Sequence, residues 1–153
     1  MIMNTFHCKI YEADNPFYDG NIESIVIPAI DGEYGVLAGH QNMAIAIAEG
    51  VIKFRTGSEI SYGNGIKGRR EMEPNTEYVA TVSTGMMLIE DGEVMILIDS
   101  AEWPDEIDEE RAIRAEAEAR EIMLQKRSIA EFALAEASLR RAIIRQRIIE
   151  RGL

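Results

Sequence analysis

The chain has 153 residues, which is enough for one ordinary domain or for a modest domain with an appendage. Hydrophobic residues make up 46% of it and charged residues 28%, a mixture typical of a globular protein and not of a disordered one. The formal net charge of −11 argues against binding to nucleic acid or to an anionic membrane surface, because both need basic side chains.

Cysteine and histidine are scarce. Because Cys8 is the one cysteine, an internal disulfide and a cysteine metal cluster are excluded, and His7 and His40 alone offer little to a zinc ion. The first residues lack the pattern of a signal peptide, and no apolar run approaches the roughly 18 residues that span a bilayer. We therefore expect no direct membrane insertion and a place in the cytosol or on the cytosolic face of a larger assembly.

Short segments in the first hundred residues follow a period of two, which indicates β-strands. The first segment places Phe6, Cys8 and Ile10 on one side, and Asp91-Gly92 between two apolar runs is a strong hairpin signal. The other segments with this pattern are ESIVIP, MAIAIA, VIKFRT, EISYG, EYVATV and MMLIEDGEVMILID. Many short strands at regular spacing predict an antiparallel β-sandwich or barrel.

A search for catalytic motifs finds none that is convincing. Residues 63–68 read G-N-G-I-K-G, but a dinucleotide-binding loop of this form must open a helix, and Pro74 follows too soon for one. We interpret these residues as a glycine-rich β turn. Cys8 lies mid-strand on the apolar side and is interpreted as a buried structural thiol. His40 has no serine or cysteine near it in the sequence, so a non-catalytic role is favoured.

The last fifty residues are predicted to be helical, because glycine disappears until Gly152 while Ala, Glu, Arg, Leu and Ile dominate. Ser128 and Glu131 have the spacing of a capping box, which predicts two helices that meet near Ser128. Residues 101–121 carry nine acidic and three basic residues, and residues 122–153 carry three and seven. These opposed charges and the many alanines predict an antiparallel hairpin with closely spaced helices and little buried apolar area.

Three stretches of this sequence resemble a known family. They are FYDGNIESIVIPAIDGEYGVLAGH followed by EGVIKFR, then EDGEVMILIDSAE, and then IDEERA at residues 107–112. In this order they resemble the ε subunit family of F-type ATP synthases over nearly the whole chain. The resemblance implies an α+β fold with two domains: an antiparallel β-sandwich of about ten short strands at residues 1–100, and an antiparallel two-helix hairpin at residues 101–153. The chain departs from the family pattern at residues 103–106, W-P-D-E, where Pro104 makes the link between the domains stiffer.

The resemblance implies a non-catalytic rotor subunit that is peripheral to the cytoplasmic face of the cell membrane. Its sandwich would bind the γ subunit and the c-ring, with Glu33 in the loop that faces the ring and His40 on the γ side. Tyr34 would be an amphipathic anchor of the kind enriched at interfaces. The competing interpretation is a hairpin whose Val36 and Leu37 fill the sandwich core, and we expect Glu33 and Tyr34 to be more exposed than these two.

In this family the helical hairpin is regulatory. It inhibits ATP hydrolysis when it extends toward the α and β subunits, and in some members it binds ATP without hydrolysing it. ATP is therefore an expected regulatory ligand, and no cofactor is required. Glu118 stands where ATP-binding members have an arginine. The competing interpretation is that Asp108 caps its helix and that the arginines neutralise the acidic first helix. The residues that match the nucleotide-binding positions are Glu102, Asp108, Arg111, Ala112, Arg141 and Arg145.

A second class of function stays open from the residues alone. A stand-alone two-domain adaptor or ligand-sensing module, unrelated to the synthase, would have the same composition and the same lack of catalytic motifs. Co-purification with γ-, α- and β-type subunits separates the two hypotheses.

Overall fold

A computed structural model describes residues 4–124 and 129–150. It divides the chain into two compact units, Met1–Glu106 and Ile107–Leu153. The first unit is built from β-strands and the second from two helices. Neither described helix combines the length and the apolar character that crossing a bilayer requires.

The first unit contains eleven described strands, close to the ten expected. In β1, Phe6, Cys8 and Ile10 are buried and alternate with more exposed residues, as the sequence predicts. A short 3-10 helix, Pro104–Glu106, ends the unit. The strands are β1 (Phe6–Glu12), β2 (Asn15–Ala29), β3 (Gly32–Leu37), β4 (Met43–Ile47), β5 (Gly50–Thr56), β6 (Ser61–Gly65), β7 (Gly68–Met72), β8 (Glu77–Val82), β9 (Gly85–Glu90), β10 (Glu93–Ile98) and β11 (Ala101–Glu102).

The long strand β2 belongs to both layers of the sandwich. Its first half pairs with β1 and β6, and its second half pairs with β3 and β5. On one side, β5 pairs with β8, and β8 pairs with β11. On the other side, β1 pairs with β10, β10 with β9, and β9 with β4. The described pairs are antiparallel, as predicted, except that β1 and β10 run parallel. The predicted β-sandwich is therefore confirmed, with one parallel pair added.

The core lies between the two layers and is rich in aromatic rings. Phe17, Tyr18, Phe54 and Trp103 are among its largest buried side chains, and Phe17 and Trp103 stack with 4.3 Å between ring centroids. Burying such apolar area is the main favourable term in folding. Buried isoleucines from both layers fill the space around these rings.

The turn between β9 and β10 confirms the hairpin prediction. Asp91 and Gly92 connect the two strands and have φ values of 50° and 81°. Two central residues with positive φ are the requirement of a type I′ turn, whose twist matches that of the flanking strands. The Asp-Gly pair therefore fixes the register in which β9 and β10 align.

The boundary between the two units lies six residues later than the sequence suggests. After Ser100 the chain continues as β11, in which Ala101 and Glu102 pair with β8. Trp103 follows and is only 1% exposed, so it belongs to the sandwich core. A two-residue strand is too short to show a period of two, which explains why the expected boundary at residue 100 is wrong.

The second unit consists of α1 (Glu109–Leu124) and α2 (Ile129–Glu150), which contact each other. Gln146 on α2 donates from Nε2 to Oε2 of Glu116 on α1, at 2.5 Å. The alanines with buried side chains lie seven residues apart on each helix, so each pair shares one stripe. The predicted capping box at Ser128 and the predicted stop at Gly152 lie outside the described residues. The buried alanines are Ala112, Ala119, Ala135 and Ala142.

Candidate functional site

Tyr34 and His40, two of the predicted interface residues, contact each other. The hydroxyl of Tyr34 lies 2.9 Å from Nε2 of His40 and 3.1 Å from the sulfur of Met43. Nδ1 of His40 lies 2.8 Å from the carbonyl oxygen of Gln41. Because a carbonyl only accepts, Nδ1 of His40 donates a proton to Gln41, while the hydroxyl of Tyr34 donates its proton to the sulfur of Met43. These contacts fix both side chains at the sandwich surface, where each is half-buried.

The strand that carries Tyr34 shows which of the two interpretations applies to each residue. Val36 is buried, as the core interpretation expects, but Leu37 is 66% exposed, so its expected core position is wrong. The reason is that β3 is a strand, and successive side chains of a strand point to opposite faces. Glu33 is exposed, as expected, whereas Tyr34 packs against the core and is half-buried.

An apolar surface that the sequence pattern did not reveal lies on the outer face of β4, β9 and β10. Met86, Met95 and Leu97 on this face are 45%, 38% and 41% exposed. The strand register places the side chains in two adjoining rows, Ala44–Leu88–Met95 and Ala46–Met86–Leu97. We call these six residues the methionine strip. Period-two patterning indicates which residues alternate, but it does not show that the outward set is also apolar and contiguous.

At the start of α1, Asp108 acts as the helix N-cap. Its carboxylate oxygen accepts the backbone N–H of Arg111 at 3.1 Å, and its carbonyl accepts the N–H of Ala112 at 3.0 Å. These are the two bonds expected of an N-cap residue. Glu109 and Glu110 follow in the first turn, where acidic groups complement the helix dipole. The capping interpretation of Asp108 therefore has direct structural support.

A groove of about 260 Å³ runs between the two helices. Ala115, Glu118 and Ile122 line it from α1, and Leu134 and Ser138 line it from α2. Glu118, the residue that departs from the ATP-binding pattern, therefore forms part of the groove wall.

Helical spacing relates the residues that line this groove to the predicted arginines. On α1 the positions 111, 115, 118 and 122 share one face, and on α2 the positions 134, 138, 141 and 145 have the same spacing. Arg111 is exposed and Arg141 and Arg145 are half-buried. Ala112 is buried beside Arg111. By this spacing the three arginines lie toward the end of the hairpin opposite to Ile122 and Leu134.

Glu102 belongs to a different unit from the other predicted nucleotide-binding residues. It belongs to the first unit, where it pairs with Thr81 in the β11–β8 ladder, whereas Asp108, Arg111, Ala112, Arg141 and Arg145 belong to the second unit.

The candidate nucleophile and metal ligands of the sequence have structural roles. Cys8 is fully buried, and burial raises the pKa of its thiol, which keeps it protonated. His7 bonds with Asp19 across the β1–β2 pair. Within residues 4–124 and 129–150, no three His, Cys, Asp or Glu side chains converge in a way that would hold a metal ion.

Comparison with known proteins identifies the family. The profile of the family described as "ATP synthase, Delta/Epsilon chain, beta-sandwich domain" matches residues 5–63. The ATP synthase epsilon chain of Caldicellulosiruptor saccharolyticus is 33% identical over 148 residues, which cover 97% of this chain and 96% of that relative. The chain belongs to the ATP synthase epsilon chain family. The epsilon chain of Caldanaerobacter subterraneus subsp. tengcongensis is 32% identical over 94% of this chain and 93% of its own.

Two solved structures share the fold of this epsilon-family chain. A chain of the Euglena gracilis mitochondrial ATP synthase, in an assembly of OSCP, F1 and c-ring, aligns with a TM-score of 0.76 at 22% identity, covering 97% of this chain and 84% of that one. A chain of the central stalk and c-ring of the Tetrahymena thermophila mitochondrial ATP synthase aligns with a TM-score of 0.54 at 12% identity over 92% and 93%. The β-sandwich with two helices is therefore a recurrent architecture in such assemblies.

Proposed function

We propose that this epsilon-family chain is a non-catalytic subunit of the central stalk of a proton-translocating F-type ATP synthase. In that role it couples the catalytic head to the c-ring, at the cytoplasmic face of the cell membrane. Similarity over nearly the full length of the bacterial relatives supports the proposal. The solved neighbours come from a central stalk and c-ring assembly and from an F1 and c-ring assembly.

The observation that carries this proposal is the methionine strip. Six apolar side chains in two contiguous rows face outward on a sheet, in a chain with a net charge of −11. Contiguous apolar patches on otherwise polar surfaces mark protein–protein contacts. Methionine is well suited to such a surface because its flexible thioether adapts to the partner. We assign the γ subunit to this face and to the Tyr34–His40 pair, in which Tyr34 bonds to Met43 of β4, and the c-ring to the turn beside Glu33.

Co-expression with γ tests this assignment. Leu97→Glu places a charge in the methionine strip, and we expect it to abolish co-purification with γ while leaving the sandwich folded. Ile60→Glu is the matched control, because Ile60 is 52% exposed but lies outside the strip. Equal γ recovery with both variants would reject the strip as the γ surface. A wild-type chain that never co-purifies with γ, α or β subunits would favour the stand-alone adaptor.

The helical hairpin is proposed to inhibit ATP hydrolysis by contacting the α and β subunits. The support is a separate unit of two helices whose described buried side chains are four alanines and Ile148, so that little apolar area holds them together. Complexes that contain residues 1–106 are expected to assemble and to hydrolyse ATP faster than complexes with the full chain. Cutting after Glu106 keeps β11 and Trp103 in the sandwich, which a cut at residue 100 would remove. Equal hydrolysis rates at high and low ATP would show that the hairpin does not inhibit.

The groove between the helices is proposed as a regulatory ATP site. Arg111 on α1 and Arg141 and Arg145 on α2 share helical spacing with the groove residues and suit a polyphosphate, because guanidinium groups bind phosphate oxygens in pairs. Glu118 in the wall opposes this with a like charge. If ATP binds, millimolar ATP raises the melting temperature of the helices, and Arg145→Ala removes the shift. Glu118→Arg is expected to enlarge it. A wild-type chain and an E118R variant that both ignore ATP would reject the site.

A further inference from the structure

The glycine-rich segment of residues 63–68 contacts residues 103–106, a role that its G-x-G-x-x-G motif does not indicate. It forms the facing ends of β6 and β7, with the turn at residues 66–67. The last four residues of the first unit, 103–106, lie against this hairpin and bond to it. We call the contact between residues 103–106 and residues 63–70 the linker latch.

The first part of the linker latch is a slot for Trp103. Its indole N–H donates to the carbonyl oxygen of Asn64 at 2.9 Å, and its ring stacks on Phe17 at 4.3 Å with only 10° between the planes. The guanidinium of Arg70 lies 5.2 Å from the centre of the ring. A Cβ atom at Gly63 would lie 2.9 Å from the Trp103 ring, so this glycine leaves the space that the indole fills.

The second part is a cradle for the carboxylate of Glu106. One oxygen accepts the backbone N–H groups of Ile66 and of Lys67, the latter at 3.4 Å, and the other accepts the N–H of Trp103 at 3.3 Å. Backbone N–H groups that converge at a turn are a recurrent anion-binding arrangement. A Cβ atom at Gly65 would collide with this carboxylate, so a second glycine makes room for the linker.

The third part is electrostatic. Arg70 donates two hydrogen bonds to the carboxylate of Asp105, at 2.8 and 3.2 Å, and Nζ of Lys67 donates to the Asp105 carbonyl oxygen at 3.3 Å. The bond from Arg70 holds the pKa of Asp105 below its usual range. An exposed ion pair of this kind is weak alone, so the buried ring of Trp103 supplies most of the attachment and the polar bonds set its direction.

We propose that the β6–β7 hairpin is a docking site for the chain's own linker, and that the linker latch places the hinge between the two units at residues 107–108. Asp108 already caps α1, which begins at Glu109. While the linker latch is closed, only these two residues join a fixed Glu106 to the helix, and they span at most about 7 Å. If it opens, six residues, 103–108, are released and span about 20 Å. The proposal concerns the chain itself and does not rest on a regulatory role in a synthase.

Trp103 is the one tryptophan of the chain, so its fluorescence reports directly on the linker latch. Gly65→Ala places a methyl group against the Glu106 carboxylate. Gly35→Ala is the matched control: it makes the same change in a strand, where the nearest atom to the new methyl is 4.0 Å away. We expect Gly65→Ala to shift Trp103 emission to longer wavelength and to speed amide exchange at Ile66 by about tenfold. Gly35→Ala is expected to change neither.

Unchanged emission and exchange in Gly65→Ala, or equal changes in the Gly35→Ala control, would overturn the docking proposal. If Gly65→Ala does not fold, Glu106→Gln is read in the same way, because its amide provides one acceptor where the carboxylate provides two. Unchanged emission and exchange in Glu106→Gln, or equal changes in Gly35→Ala, would then overturn the docking proposal.

Backbone NMR relaxation tests the position of the hinge. In the wild-type chain we expect order parameters near 0.85 up to Glu106 and below about 0.6 at residues 107–108. In Gly65→Ala the low values are expected to extend back to Trp103. A wild-type chain that is uniformly rigid through residue 108, or that already loses order at Trp103, would contradict a hinge at 107–108.

Discussion

Replacing Asp108 by alanine tests how α1 begins. The change removes the carboxylate that accepts the N–H of Arg111 at 3.1 Å. Loss of an N-cap typically costs about 1 kcal/mol, within a range of about 0.5–2. Loss of a negative charge beside the helix N-terminus adds about 0.3–1 kcal/mol. We therefore expect Asp108→Ala to lower the free energy of opening of α1 by about 1–2 kcal/mol.

Two further variants separate the contribution of the cap from that of the charge. Glu109→Ala also removes one acidic group from the first turn, but Glu109 lies inside the helix and is not the cap. Asp108→Ser removes the charge and keeps an acceptor that ranks with aspartate as a cap. The difference between Asp108→Ala and Glu109→Ala should be about 1 kcal/mol, which corresponds to roughly a fivefold change in the opening equilibrium.

Native-state hydrogen exchange of the α1 amides measures these differences, because it reports local opening without unfolding the sandwich. Equal acceleration by Asp108→Ala and Glu109→Ala would refute the capping argument. The serine variant also separates the two roles considered for Asp108. If ATP raises the melting temperature of wild type and of Asp108→Ser alike, the carboxylate caps the helix and does not contact the nucleotide.

Three further predictions follow from the ionisable groups. Burial raises the pKa of Tyr18 to about 12 while its hydroxyl donates to Ser61; stability should therefore fall as pH rises above about 10, where unfolded tyrosine ionises, and Tyr18→Phe should flatten this loss in alkaline melts. The pKa of Asp105 is lowered by its bond from Arg70, so its contribution is present above about pH 4 and lost below it; Asp105→Asn should remove this acid dependence. Burial raises the pKa of Glu12, because it disfavours the charged carboxylate. Glu12→Gln should therefore raise the melting temperature at pH 7, where the carboxylate is charged, and have no effect at pH 3. An equal effect at both pH values would contradict this prediction.

Local features were predictable from the sequence because their causes are local. Alternation of apolar residues predicts β1, and the side chains of Phe6, Cys8 and Ile10 are indeed buried. The Asp91-Gly92 pair predicts its turn, because aspartate and glycine tolerate positive φ better than most residues. The alanine-rich tail predicts closely packed helices, and four alanines are buried there.

Features that depend on distant pairing were not predictable. The parallel pair of β1 and β10 joins strands from opposite ends of the sandwich sequence. The methionine strip needs three strands in a defined register before its residues adjoin. The groove wall at Glu118 is apparent only once two helices are aligned. In each case a deciding neighbour lies on another strand or helix, so the local pattern of one element carries no information about it.

The glycine-rich segment shows why a motif must be judged by what surrounds it. Because no helix follows its glycines, the sequence predicts a β turn, and the segment does connect β6 to β7. The turn geometry explains Gly68, whose φ is 97°, but it does not explain Gly63 and Gly65. Those two are explained by Trp103 and Glu106, which occupy the space where their side chains would lie. The same W-P-D-E segment that departs from the family pattern therefore occupies the space that these two glycines leave open.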